Sequence, residues 1–287
     1  MVSTVLCPLN GSEAARPVLE TAMGFARDVG FHLEVLHVRP DAKDTIPLLG
    51  EGMSVAMVED MIGMADEEAA SRSTRARAMF DDVRQALGVA IADQPNDAQT
   101  ATTSWVEEAG REDEIVARRG RLNDLVVALR PFADADVSAT VTLNAALFET
   151  GRPALVIPPA GAPGFGKRVA ISWNGSAQSA KAVSAARRVL GRADHVLVLV
   201  ADSPRTAGVR ADELANYLKW HGVSADTRTF EGTNQDVPGL LLEECKKVEA
   251  DLLVMGAYTH SRMRQLILGG VTRHVLDHAD IPLFMAH

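Results

Sequence analysis

Ser172-Trp173-Asn174-Gly175-Ser176 follows the short apolar run Val169-Ala170-Ile171, and a similar segment, Cys7-Pro8-Leu9-Asn10-Gly11-Ser12, follows an apolar run near the start of the chain. Each segment has the pattern of a buried strand, then an Asn-Gly-Ser turn, then a helix. This self-similarity indicates that the chain contains two copies of one structural unit.

Two further segments are repeated, and all the repeats occur in the same order in both halves. An aspartate followed by three apolar residues occurs at 124–127 and again at 251–254, and a proline-containing apolar run occurs at 152–157 and again at 281–285. The shared order of these repeated segments predicts a tandem duplication rather than one large domain.

The segment between the two copies is rich in proline and glycine. Residues 158–166 read Pro-Pro-Ala-Gly-Ala-Pro-Gly-Phe-Gly, which can continue neither a helix nor a strand ladder. We therefore expect a linker with the boundary near Gly161, and two domains at 1–160 and 165–287.

Segments typical of strands and helices alternate within each copy. Residues 196–200 form a continuous apolar run, typical of a strand buried on both faces, and residues 55–87 have a long helical pattern that ends at Gly88. The order β-α-β-α-β-α-β-α-β predicts an α/β fold of two tandem three-layer αβα domains, each a doubly wound five-stranded parallel sheet. A ligand of such a sheet binds at the carboxyl ends of the strands, where the strand order reverses.

The composition argues against several classes of protein. Of 287 residues, 47% are apolar and 23% are charged, which is typical of a protein with a buried core. The formal net charge of −9, without a stripe of Lys and Arg, argues against nucleic-acid binding. No uncharged apolar run reaches about 18 residues and the N-terminus has no basic leader, so we expect neither a membrane span nor secretion. The two cysteines, Cys7 and Cys245, lie in unlike contexts, which fits a reducing cytoplasm.

The most specific motif lies in the second copy. It reads Val254-Met255-Gly256-Ala257-Tyr258-Thr259-His260-Ser261-Arg262 and continues at Leu268-Gly269-Gly270-Val271-Thr272. This pattern resembles the signature of the universal stress protein family, in which a strand ends in Gly, a second Gly follows, and Gly with Ser or Thr opens the last helix. Thr259 stands in the place of the second Gly, and Gly270 stands in the place of the Ser or Thr. The resemblance covers both copies and implies an adenine nucleotide α-hydrolase-like fold.

The resemblance also implies that the second domain binds ATP or another adenine nucleotide. The base and ribose would lie against Ser172, Asn174 and Ala201, at the ends of the first two strands of that domain. Family members that bind ATP generally carry Asp where Asn174 stands, so a neutral amide replaces a charged acceptor for the ribose hydroxyls. The phosphates would lie at the strand end and the start of the last helix, at Met255, Gly256, Thr259, Gly269, Gly270, Val271 and Thr272.

The physical basis of this motif does not depend on the family. A glycine at a strand end, here Gly256, accepts a positive φ and lets a ligand approach the backbone where no Cβ stands. The helix that opens at Gly269 and Gly270 offers free N–H groups and the positive end of its dipole to an anion. Because Thr259 adds bulk and Gly270 lacks a hydroxyl, we expect binding to be weakened but not abolished. A bulky residue at position 256 is expected to block the cleft.

The first copy lacks these features. Leu129 occupies the place of the strand-end glycine, Arg130-Pro131-Phe132 follows it, and Ala139-Thr140 aligns with the pair that opens the last helix. Since a Leu side chain fills the approach that a phosphate needs, we expect the site of the first domain to be degenerate. Arg130 is a weaker candidate for contact with some other anionic ligand.

These observations favour a cytoplasmic stress-response module that is not an enzyme, with nucleotide binding in the second domain. The alternative is a nucleotide-free scaffold that acts through protein contacts. A slow ATPase ranks last, because no acid/base pair or Walker lysine is evident. The resemblance also implies association through the edge strands at 154–157 and 283–285, inside the chain as a pseudo-dimer and, as an open alternative, between chains in a homodimer.

Two polar patterns have ordinary explanations. His274 and His278 lie four residues apart on one predicted helix, next to Asp277, but no HExxH pattern or cysteine accompanies them, so we expect no metal site. Ser12 and Ser176 precede the first helix of each copy and are expected to be N-caps rather than nucleophiles.

A methionine pattern leaves two interpretations open. The pattern comprises Met53, Met57, Met61 and Met64, three or four residues apart on the long helix. Core packing against the sheet is the first interpretation, and a partner surface is the second.

Overall fold

The computed structural model describes most of the chain and confirms the α/β class. The described residues are 3–40, 55–94, 100–132, 137–202, 206, 208–233, 236–257 and 270–287. Strands and helices alternate along these residues from the first strand to the last.

The first unit contains six strands and four helices among the described residues. The strands are β1 (Thr4–Pro8), β2 (His32–Arg39), β3 (Ala90–Ile91), β4 (Thr102–Ala109), β5 (Leu125–Leu129) and β6 (Ala154–Ile157). The helices are α1 (Arg16–Val29), which follows a 3₁₀ turn at Glu13–Ala15, α2 (Val55–Leu87), α3 (Glu112–Gly120) and α4 (Val137–Phe148).

The second unit contains five strands and four helices among the described residues. The strands are β7 (Arg168–Ser172), β8 (His195–Asp202), β9 (Asp226–Glu231), β10 (Leu252–Gly256) and β11 (Leu283–Ala286). The helices are α5 (Ala177–Leu190), α6 (Ala211–Lys219), α7 (Val237–Lys247) and α8 (Gly270–His278).

All the described strands belong to one sheet of 11 strands, in the order β3-β4-β2-β1-β5-β6-β11-β10-β7-β8-β9. Within each unit the strands are parallel, and β3 apart they follow the same order: β1 lies between β2 and β5 in the first unit, and β7 lies between β8 and β10 in the second. The repeat that the sequence predicts is therefore a repeat of topology, and each unit has its reversal of strand order beside its first strand.

The first unit departs from the predicted five strands by one short strand. Ala90 and Ile91 pair with Thr102 and Thr103 and so add β3 outside β4. Both residues of β3 are exposed, which makes it a two-residue edge that buries no side chain. A strand this short leaves no periodicity in the sequence, so the pattern of strands and helices could not predict it.

The two units are joined by an antiparallel pair of strands, β6 and β11. Leu155 lies opposite Phe284, and Val156 lies opposite Leu283. These strands are the ones expected to mediate association, and the structure confirms that they pair with each other inside the chain. The two sheets thus meet edge to edge, which leaves neither of these strands exposed to another molecule.

Helices cover both faces of the sheet, and each face has a core that continues across both units. One core joins α1 and α2 of the first unit to α5 and α6 of the second, and it includes Leu155 and Phe284 at the junction. The other core joins α3 and α4 to α7 and α8. The predicted three-layer arrangement is confirmed, and the two units share both of its interior surfaces.

The repeated aspartates hold the first strand of each unit. The Asp251 carboxylate accepts hydrogen bonds from the backbone N–H groups of Gly166, Lys167 and Arg168, at 2.9, 3.0 and 3.0 Å. In the first unit, Asp124 accepts one from the N–H of Thr4 at 3.0 Å. The duplicated Asp therefore has a structural role, because it satisfies the backbone groups at the start of a strand.

The long helix α2 has the bounds that the sequence predicts, but its methionines do not pack in the core. Met57, Met61 and Met64 are 54%, 38% and 71% exposed, so core packing is the wrong interpretation for these three. Met53 lies outside the described residues. The residues of α2 that pack against the sheet come later in the helix, from Ala69 onward. Among the described residues, no helix combines the length and the apolar character that a membrane span requires.

Candidate functional site

The predicted site residues of the second unit that the structure describes lie toward one edge of the sheet, at the ends of strands and at the start of a helix. Ser172, at the end of β7, lies opposite Met255 of β10 on one side and Leu199 of β8 on the other. β7 and β10 are neighbours although two strands and three helices separate them along the chain. This is the reversal of strand order at which doubly wound sheets bind their ligands.

Asn174 closes the turn between β7 and α5. Its side-chain oxygen accepts hydrogen bonds from the N–H of Ser176 at 3.1 Å and from the Ser176 hydroxyl at 2.7 Å. In the first unit, Asn10 accepts the same two bonds from Ser12, at 3.0 and 2.8 Å. The duplicated Asn-Gly-Ser is therefore a turn motif in both units, and in the second unit it holds the Asn174 amide at the carboxyl end of β7.

Only one of the two predicted serine caps is present. The Ser176 hydroxyl oxygen accepts a hydrogen bond from the N–H of Ser179 at 3.1 Å, so Ser176 caps α5 as predicted. Ser12 precedes a 3₁₀ turn and makes no side-chain cap, so that prediction is wrong. The chain at Ser12 enters a tighter helix, whose first N–H groups have a different geometry from those of α5.

Gly256 has a different structural role from the one expected. Its φ is not positive. A Cβ built on it would lie 2.5 Å from the backbone nitrogen of Ser179 and 2.8 Å from the carbonyl carbon of Gln178. The first turn of α5 therefore occupies the space beside Gly256 in which a ligand was expected. The glycine is required because a helix packs against the strand end, and a bulky substitution there would displace α5 rather than only block a cleft.

Two other predicted residues contribute backbone rather than side chain. The Met255 side chain is 3% exposed and belongs to the core between the sheet and α7 and α8, so it cannot contact a ligand. Ala201 is 8% exposed, and its carbonyl accepts a hydrogen bond from the Thr206 hydroxyl. Ser172, in contrast, is half-buried at the same edge.

The start of α8 is open at its first residue. Around a Cβ built on Gly270, no atom of the described residues beyond α8 lies within 4 Å, and Gly270 is exposed. Val271 is half-buried against the core, and Thr272 is 5% exposed. A helix N-terminus presents backbone N–H groups and the positive end of its dipole, which suit an anion. The predicted site residues Thr259 and Gly269 lie outside the described residues.

The corresponding edge of the first unit is occupied by its own side chains. Leu129 is half-buried and packs against the core. The Glu112 carboxylate accepts hydrogen bonds from the hydroxyls of Ser138, at 2.7 Å, and Thr142, both in the first two turns of α4. α4 is the counterpart of α8, so an internal carboxylate lies where a bound anion would be favoured. No local pattern predicts this contact, because Glu112 is 26 residues from Ser138.

Arg130 contacts the second unit. Its guanidinium donates hydrogen bonds to the carbonyls of Leu276, at 3.0 Å, and Asp277, at 2.9 Å, at the C-terminal end of α8. The suggestion that Arg130 serves an anionic ligand is therefore wrong, because the negative end of a helix dipole already engages it. Arg130 could not be assigned this role from sequence, since 146 residues separate it from Leu276.

The histidine pair and the cysteines show no catalytic arrangement. The rings of His274 and His278 stack with centroids 4.2 Å apart, and His278 Nδ1 lies 2.9 Å from the carbonyl oxygen of His274. Burial raises the pKa of the Cys7 and Cys245 thiols to about 12. Both thiols are therefore protonated near neutral pH and are poor nucleophiles.

Comparisons with known proteins agree with this architecture. Residues 167–287 match the model of the universal stress protein family. The chain is similar to the solved structure of a universal stress protein from Archaeoglobus fulgidus DSM 4304: the alignment covers 99% of this chain and 97% of that protein, with a TM-score of 0.66 and 16% identity. The alignment with a putative universal stress protein from Pseudomonas aeruginosa UCBPP-PA14 covers 99% of this chain and 93% of that protein, with a TM-score of 0.57 and 15% identity.

A third solved structure shares the fold but comes from a different kind of protein. The alignment with the cytoplasmic domain of a prokaryotic cation chloride cotransporter covers 99% of this chain and 95% of that domain, with a TM-score of 0.52 and 10% identity. A search of curated protein sequences finds no match. At these identities the structural likenesses establish the fold over the whole chain, and function has to be argued from the site.

Proposed function

We propose that the chain is a cytoplasmic stress-response module that binds an adenine nucleotide, ATP or a relative of it, in its second unit. The match of residues 167–287 to the universal stress protein model and the shared topology of the two units support this proposal. The units correspond to domains at 1–160 and 165–287. The module binds the nucleotide without turning it over, and its first domain supports the fold of the second.

The observation that carries this proposal is the edge formed by Ser172, Asn174 and Gly270. The turn at Asn174 is held by two hydrogen bonds at the end of β7, beside the reversal of strand order. Gly270 exposes the first turn of α8, which supplies N–H donors and the positive end of a dipole. In the first unit an internal carboxylate and Leu129 fill the corresponding positions.

The residues divide into two groups by what they can contact. Ser172, the Asn174 amide and the backbone of Ala201 would surround the base and ribose. The backbone of Met255 and Gly256, the start of α8 at Gly270, Val271 and Thr272, and the loop residues Thr259 and Gly269 would surround the phosphates.

One segment of the chain resembles the phosphate-binding loop of ATPases, and its sequence and contacts argue against a role in ATP hydrolysis. Gly161 to Lys167 has glycines and a lysine at the spacing of a phosphate-binding loop, but Arg168 follows in place of Ser or Thr, and the segment leads into β7 rather than a helix. The N–H groups of Gly166, Lys167 and Arg168 are engaged by Asp251. This segment therefore has a structural explanation, and it supplies no catalytic lysine.

Isothermal titration calorimetry with ATP, ADP and AMP tests the binding. We expect saturable heat with at least one of them. The variant Asn174→Asp keeps the acceptor that closes the turn and replaces the amide N–H₂ with a second, charged acceptor for ribose hydroxyls, so we expect tighter binding by about 10-fold. Asn10→Asp makes the same change in the identical turn of the first unit and should leave affinity unchanged.

The outcomes separate the two candidate functions. Folded protein that gives no heat with any of the three nucleotides, and releases none on denaturation, would favour the scaffold that acts only through protein contacts. A nucleotide released from the purified protein, identified by mass spectrometry, would exclude that scaffold. Equal responses to Asn174→Asp and Asn10→Asp would place the nucleotide elsewhere.

A further inference from the structure

The N-terminal part of α2 has no counterpart in the second unit. α2 has 33 residues, whereas α6, the corresponding helix, has 9. At a rise of 1.5 Å per residue, α2 is about 50 Å long. None of residues 56–68 is buried, and burial begins at Ala69. We call residues 56–68 the α2 extension, because this part of the helix contributes no residue to the core.

Three methionines form one side of the α2 extension. Met57, Met61 and Met64 are 54%, 38% and 71% exposed, and their spacing places them within an arc of about 60° on the helix. We call this set the methionine ridge. Val58 and Ile62, on the adjoining arc, are half-buried. Methionine side chains are flexible and polarizable, and they suit surfaces that bind apolar helix faces of varied shape.

Two carboxylates of the α2 extension, Asp60 and Glu67, lie on the arc beside the methionine ridge, whereas Glu59 and Asp66 lie on the opposite face of the helix. Residues 55–71 contain five acidic residues and no Lys or Arg. Glu68 is paired with Arg72 at 2.9 Å and with Arg75 at 3.2 Å. The remaining four acidic residues are exposed and make no ion pair within the described part of the chain; they are Glu59, Asp60, Asp66 and Glu67. The extension is therefore an acidic helix with an apolar ridge, and we call Asp60 and Glu67, which flank that ridge, the acidic border.

We propose that the α2 extension is a docking surface for a basic amphipathic helix of a partner protein. The apolar face of the partner would lie on the methionine ridge, and its Lys and Arg side chains would meet the acidic border, as in helix-in-groove recognition. A second copy of this chain is a poor occupant, because it would bring like charges together. An anionic lipid surface would be repelled for the same reason.

A model peptide tests the surface directly. The probe is a fluorescein-labelled peptide of Leu and Lys at helical spacing, titrated with the full chain and followed by fluorescence anisotropy. We expect saturable binding that weakens as salt is raised. A peptide of the same composition with Leu and Lys alternating has no apolar helical face and should bind at least about 10-fold more weakly.

Substitution of the methionine ridge tests the apolar contact. Met61→Gln/Met64→Gln keeps the helix propensity and the charge but makes the ridge polar. Because both positions are exposed, we expect an unchanged circular dichroism spectrum and unfolding midpoint. Affinity for the helical Leu/Lys peptide should fall by about 10-fold or more. Unchanged affinity in this variant would overturn the proposal, since general electrostatic attraction would then explain the binding.

Substitution of the acidic border tests the charge contact. The test variant neutralises the acidic border with Asp60→Asn and Glu67→Gln. The matched control neutralises two exposed carboxylates on the opposite face of the same helix with Glu59→Gln and Asp66→Asn. We expect about a 10-fold loss of affinity and a smaller salt dependence in the test variant only. An equal loss in the control would overturn the proposal.

Sedimentation velocity of the full chain tests whether a second copy of the chain binds the methionine ridge. We expect the same sedimentation coefficient for the wild type and for Met61→Gln/Met64→Gln. A wild-type dimer that this substitution dissociates would assign the methionine ridge to a second copy of the chain and would overturn the proposal.

Discussion

Gly256 lies so close to Ser179 that a Cβ built on the glycine would be 2.5 Å from the Ser179 backbone nitrogen. The contact joins the end of β10 to the first turn of α5, across the point where the strand order of the second unit reverses. A motif glycine can thus be required by a neighbouring helix, whether or not a nucleotide binds beside it.

Gly256→Ala should destabilise the protein by about 1–3 kcal/mol, because the atoms that meet the new methyl group are backbone atoms and cannot rotate away. Urea denaturation measures the change in the free energy of unfolding. Gly270→Ala is the matched control, since no atom of the described residues beyond α8 lies within 4 Å of its Cβ position. Equal effects of the two substitutions would mean that the contact of Gly256 with α5 is not tight.

Arg130→Met should destabilise the protein by about 1–3 kcal/mol, because it removes two charge-assisted hydrogen bonds to the end of α8. Arg273→Met is the control on the same helix. Arg273 forms an exposed pair with Asp277 at 3.6 Å, a kind of contact that contributes about 0–1 kcal/mol. A smaller loss for Arg130→Met than for Arg273→Met would contradict the assignment of Arg130 as a cap between the units.

His32 should make the protein less stable in mild acid. Burial lowers the pKa of His32 below its ordinary value of 6.5, against the opposing effects of Glu34 and Asp93. The unfolded chain then binds more protons than the folded one below that pH, so the free energy of unfolding falls as the pH decreases from 6.5 toward the folded pKa.

The variant His32→Gln should show a shallower loss of stability with decreasing pH, measured by urea denaturation at a series of pH values. His195→Gln is the matched control, because His195 begins the corresponding strand of the second unit and is exposed. Parallel pH profiles for the wild type and His32→Gln would disprove the role of His32.

The two units should unfold together, because each of the two cores includes residues from both units. Single-tryptophan variants can test this, since Trp105 reports on the first unit and Trp173 on the second. We expect the variants that retain only Trp105 or only Trp173 to lose fluorescence at the same urea concentration as they lose circular dichroism. Two separate midpoints would show that the units are independent.

Local sequence patterns predicted the elements of this fold well. The bounds of α2 and β6 agree with the prediction, because a glycine ends α2 and a proline precedes β6, and both act within a few residues. The order of the repeated segments predicted the duplicated topology. The association of β6 with β11 was expected from the family resemblance alone, and its antiparallel direction was not predicted.

Contacts between distant parts of the chain limited the prediction of the site. The role of Gly256 depends on where α5 packs, and the role of Arg130 depends on where α8 ends. The methionine ridge shows a second limit, because helical periodicity identifies an apolar face but does not tell whether anything covers it. The nucleotide assignment itself stays a prediction.

The joining of β6 to β11 inside one polypeptide has an evolutionary consequence. In a symmetric pair of identical subunits, every substitution appears twice, so a change that helps one subunit is imposed on the other as well. Here Leu129 and the α2 extension each occur once per molecule. Selection could therefore specialise one unit for new contacts while the other kept the ancestral cleft.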